Sequence, residues 1–80
     1  METQPHDPVR QRQQVLTLLR LHAAMTTDEF RSRGIMAPAP RVLELRRQGY
    51  QIITERVRVT GLDGRLHSQA RYVLLGRGAK

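Results

Sequence analysis

The chain has 80 residues, no cysteine, and 14 Lys+Arg against 7 Asp+Glu, a formal net charge of +7. That size allows one domain with a thin core, and the missing thiols exclude disulfides and thiolate metal sites as added support. Apolar runs stay short and "METQPHDP" lacks the basic-then-apolar build of a secretion signal, so a cytoplasmic protein with no membrane span is expected.

The charge is unevenly spread and almost wholly arginine. Residues 1–34 carry five arginines against four acids, whereas residues 35–80 carry nine cations against three. A one-sided positive field points to a polyanionic partner, and the planar arginine fork suits phosphates and guanine edges.

Residues 1–7 read as a polar N-terminal arm. Asp7 then caps a first helix, with Pro8 at its first position, over about residues 8–23. Its apolar line is Val15, Leu18, Leu19 and His22, widened by Leu16 and Leu21. Ala24 and Met25 form a short extended bridge. Thr26 and Glu29 have capping-box spacing for a second helix of about two turns, which sends Phe30 inward and stops at Gly34. Prolines disfavour helix just before them, so Met36 to Ala39 are expected as a stiff turn and Pro40 as the start of helix three. In that helix Val42, Leu45 and the Arg46 stem share one face, Glu44, Arg47 and Gln48 the other, and Gly49 ends it. The β-formers of "YQIITERVRVT" and "ARYVLL", joined through the turn signal "GLDG", predict a hairpin of about 50–60 and 68–75. The domain is therefore expected over residues 8–75, with a basic tail over 76–80.

Three helices followed by a hairpin is the order of a winged helix-turn-helix domain, an α+β fold. Three short helices leave an apolar side open, and a hairpin covers it while projecting its tip as a wing. The segment "TTDEFRSRGIMAPAPRVLELRRQGYQIITE" also resembles the small helix-turn-helix domain proteins of bacteriophage and bacterial mobile-element genomes. Their pattern R-I-x-x-L-R-x-x-G-Y-x-I is met by Arg41, Val42, Leu45, Arg46, Gly49, Tyr50 and Ile52, and "ARYVL" is similar to their last strand. The resemblance spans about residues 12–75 and implies a winged-helix fold and DNA binding. One departure is the "IMAPAP" run, where such domains carry small or polar residues. Its apolar contacts could touch thymine methyls while Arg41, Glu44 and Arg47 do the polar reading, or the run could dock a protein.

The expected partner is double-stranded DNA, with helix three in the major groove. Arg47 and Gln48 are the first candidates for base or phosphate contact, with Arg41 and Glu44 beside them; each of the latter could instead pair internally. Arg46 reads as structural. Arg56, Arg58, Arg65 and Arg71 are the candidate wing contacts, which would position the protein without specifying sequence. About five neutralised phosphates would give a salt slope of about −4 to −5. A second hypothesis uses Met36, Pro38, Pro40 and Leu43 as an exposed patch that docks a host protein, such as a polymerase or replication factor. A homodimer reading two half-sites is open to either. No cofactor or metal is expected, since His6, His22 and His67 lack ligand spacing. Nor is an enzyme, since no acid–base pair or nucleophile can be assembled.

Overall fold

The computed structural model describes residues 7–77. In chain order the elements are α1 (Pro8–His22), β1 (Ala24–Thr26), α2 (Thr27–Arg31), α3 (Pro38–Arg47), β2 (Tyr50–Thr60) and β3 (Leu66–Arg77). The arm before residue 7 and the tail after residue 77 lie outside the described residues.

Each boundary has a local cause. The Asp7 side chain accepts from the Val9 amide at 3.0 Å and Pro8 occupies the first helical position of α1. α1 ends at Ala23, whose φ of 68° is the one positive value among the described non-glycine residues. The capping box at α2 is closed on both sides. The Glu29 amide donates to Thr26 Oγ1 at 3.2 Å, and the Thr26 amide donates to Glu29 Oε1 at 2.8 Å. α2 is only five residues long, shorter than the expected two turns. The chain leaves it through a Schellman turn, with the Ile35 amide on the Phe30 carbonyl and Gly34 at φ +89°. Ile35 then drops into the core.

Helix three starts at Pro38, two residues before the expected Pro40. Amides of the first helical turn have no intrahelical partner, so prolines at 38 and 40 remove bonds that would not have formed. Pro38 is consequently packed against the core and is not part of an exposed patch, which corrects its placement with Met36, Pro40 and Leu43. Gly49, at φ +104°, lets the chain reverse directly into β2.

The sheet has three antiparallel strands in the order β1-β3-β2. The expected bridge at Ala24 and Met25 is thus a strand, pairing Met25 with Tyr72, and β3 runs from Leu66 to Arg77, past both expected ends. The wing is the β2–β3 hairpin, with Ile52 opposite Leu74, Thr54 opposite Tyr72, Arg56 opposite Ala70 and Arg58 opposite Ser68. Directly opposed residues share a face, so the inner face runs outward from Ile52, Leu74 and Tyr72 at the core to Arg56 and Arg58. The core joins Val15 and Leu19 of α1, Phe30, Ile35, Val42, Leu45, Met25, Ile52, Ala70 and Tyr72. Phe30 and Tyr72 meet with ring centroids 6.1 Å apart at a tilt of 55°, within the separation at which aromatic pairs attract. His22 and Leu21, expected along the apolar line of α1, are exposed at its last turn.

Candidate nucleic-acid interface

The contacts made by α3 fix how it is rotated. Pro38, Val42 and Leu45 face the core. Glu44 faces α1, because Arg12 Nη1 lies 3.0 Å from its Oε1. Arg46 faces β2: its Nε donates to the Ile52 carbonyl at 2.6 Å and its Nη2 to Thr54 Oγ1 at 2.7 Å. At 3.6 residues per turn, the remaining outward line carries Pro40, Leu43 and Arg47.

The expected contact residues divide on this geometry. Arg41 sits on the α1 flank, with Nη2 3.1 Å from Glu44 Oε2, so one carboxylate bridges Arg12 and Arg41. The Arg41 side chain is only 15% exposed, and its Nε is buried without a hydrogen-bond partner. These two expected contacts are therefore committed to joining helices. Arg71 is also engaged. It stands opposite Glu55 on the sheet face that points away from the helices, and its Nη1 meets Glu55 Oε1 at 2.6 Å.

Arg47, Arg56, Arg58 and Arg65 have no ion pair or side-chain hydrogen bond among the described residues, and all four are exposed. Gln48, at the C-terminal cap of α3, is exposed as well. Arg56 lines a cleft of about 640 Å³ that runs between the start of α3 and the wing, with Ala39, Pro40, Thr60 and Tyr72 among its walls. The opposite wall includes Arg31, whose Nε is tied to the Met36 carbonyl at 2.9 Å. Sequence reasoning missed Arg31 because the first 34 residues nearly balance in charge. The usable signal was local: a basic residue at the end of the helix preceding the turn.

Arg65 is held at the wing tip by a built turn. The Gly61 amide donates to the Arg65 carbonyl at 2.8 Å, and Gly64 adopts φ +79°. Asp63 Oδ1 accepts from the Arg65 amide at 3.0 Å and lies 3.1 Å from His67 Nε2. The Arg65 amide and, to a smaller degree, His67 hold the Asp63 carboxyl below its ordinary value. The His67 ring lies over Gly61, where a Cβ would come within 2.7 Å of it. A side chain at 61 would have to displace the exposed His67 ring and Asp63 carboxylate, whereas at 64 the positive φ itself favours glycine.

Met36 is 63% and Leu43 45% exposed, so apolar surface borders the outward line. Among the described residues no three acidic, histidine or cysteine side chains come together as a metal site, and no helix is long and apolar enough to cross a membrane.

Comparison with known proteins agrees with this arrangement of helices and wing. Residues 10–77 match the model of a family described as a winged helix-turn-helix domain, a type that suggests DNA binding and is typically non-enzymatic. Neither the comparison with curated proteins nor that with solved structures returns a match. With the family model covering nearly the whole described chain, the protein belongs to the winged helix-turn-helix domain family.

Proposed function

We propose that the protein is a small regulator of transcription that binds double-stranded DNA, with α3 in the major groove and the wing on the flanking backbone. The observation that carries this reading is that α3 and the wing together present four exposed arginines without internal partners among the described residues, Arg47 on α3 and Arg56, Arg58 and Arg65 on the wing. A guanidinium left unpaired in so small a domain is free to exchange counterions for phosphate. Arg47 and Gln48 are the proposed contacts from the end of α3. Arg41, Glu44 and Arg71 serve by orienting α3 and the wing. The resemblance to phage and mobile-element proteins supports a regulator carried by such an element. Selection of bound sequences from a random duplex pool tests the proposal: an enriched site is expected, and two spaced copies of it would indicate a dimer. No enrichment over the starting pool would overturn it.

The exposed Met36 and Leu43 favour one second reading, a module that docks a host protein and inhibits or redirects it. Capture from nuclease-treated host lysate separates the two. Retention of one dominant protein, with no duplex bound at physiological salt, would favour the second.

A further inference from the structure

We infer that α3 selects bases through the C5-methyl groups of thymine, with Leu43 as the selecting side chain. This rests on the DNA-binding reading and names what that surface reads. The outward line of α3 is Pro40, Leu43 and Arg47, with Leu43 45% exposed. Within it only Arg47 can hydrogen-bond a base edge.

Apart from Arg47 and Gln48 at the far end of the helix, the polar side chains of α3 that could read bases are turned elsewhere. Glu44 is joined to both Arg41 and Arg12, and Arg46 is turned toward β2 by its bonds to Ile52 and Thr54. Pro38 and Pro40 also remove two of the four amide donors that a helix start leaves open, so the tip offers little to a phosphate or a base acceptor. Ala37, the N-cap residue, supplies no side-chain hydrogen bond there.

What remains is an apolar ridge with the Arg47 guanidinium and the Gln48 amide at its end. In the major groove thymine alone presents a methyl group, and arginine pairs best with guanine. Leu43 and Arg47 are four residues apart, about 6 Å along the helix axis. That is about two base steps of 3.4 Å. The geometry points to a thymine under Leu43 within about two base pairs of a guanine under Arg47. Charge complementarity favours DNA over a protein as the occupant. The ridge ends in Arg47, the cleft beside it is lined by Arg31 and Arg56 against one acid, Asp28, which is held by Gln69, and the chain carries +7.

The test replaces each thymine of a pool-selected site with deoxyuridine, one at a time, and measures binding by fluorescence anisotropy. Loss of one buried methyl is expected to weaken the wild-type protein about fourfold at one or two positions. Leu43→Ala should bind both duplexes alike while keeping the wild-type salt slope. If deoxyuridine has no effect at any position while the site is still bound with normal salt dependence, methyl selection is overturned and the DNA reading stands. Equal deoxyuridine effects in wild type and Leu43→Ala would likewise overturn the role of Leu43. Failure to bind any duplex overturns both.

Discussion

The α1-facing flank of α3 and the outward line that continues into the wing carry the same residue type in different states. On the flank, Arg41 and Arg12 share the Glu44 carboxylate, with the three side chains between 15% and 30% exposed. Along the outward line and the wing, Arg47, Arg56, Arg58 and Arg65 face solvent, and among the described residues their guanidinium groups form no ion pair. The hairpin repeats the contrast within itself, because Arg71 is paired to Glu55 on one sheet face while Arg56 and Arg58 stand unpaired on the other. Net charge therefore overstates the groups available to a polyanion. Topology decides which arginines hold the fold together and which are left to meet a ligand.

The largest effect is expected from removing the unpaired wing set. Arg56→Ala, Arg58→Ala and Arg65→Ala together should lower the magnitude of the salt slope by about 2.7 and weaken duplex binding about a hundredfold at 0.15 M salt, measured by anisotropy titration. The paired Arg71→Ala should leave the slope nearly unchanged. An equal loss from Arg71→Ala would erase the contrast between the two sheet faces.

Glu44→Ala should act in the opposite sense. It strands Arg12 and Arg41 in a partly buried place, at a cost of about 1–3 kcal/mol, read as a lowered melting temperature. The same variant should bind DNA no worse once folded, since it releases cations. Weaker DNA binding with altered preference at one cytosine would instead make Glu44 a base reader. Smaller again is Arg46→Ala, expected to cost about 1–1.5 kcal/mol of stability through its lost bonds to β2, without moving the salt slope.

The smallest effect concerns the wing tip. Asp63 is held below its ordinary value of 3.8, chiefly by the Arg65 amide. A depressed folded value means the carboxylate steadies the turn above its unfolded value and loses that contribution as pH falls through the folded one. Amide exchange at Gly61 to Arg65 should therefore show no change from this group near neutrality, and a loosening only below about pH 4.

Much of this fold was legible because its signals are local. The Asp7 cap, the Thr26–Glu29 box, Gly34, Gly49 and the "GLDG" turn each act within a few residues. The caps start α1 and α2 where expected, while α2 ends at Arg31, short of Gly34, and β3 begins at Leu66, earlier than expected. The shifted start of helix three came from weighing each proline as a breaker, whereas in a first turn both are tolerated. The strand at Ala24–Thr26 could not be read as such, because its partner lies almost fifty residues away at Tyr72. The candidate interface was legible in composition and not in state. Spacing put Arg56 and Arg58 on one sheet face, but the Arg12–Glu44 and Arg71–Glu55 pairs are contacts across elements that no local pattern announces.

The most direct test of the central claim is the salt dependence of wild-type binding to a selected duplex. Three unpaired wing arginines on phosphate, with Arg47 on a base edge, predict a slope of log K against log salt of about −2.7, shallower than the −4 to −5 expected from about five neutralised phosphates. A slope near zero, with binding indifferent to salt, would contradict a DNA-binding surface built from these side chains.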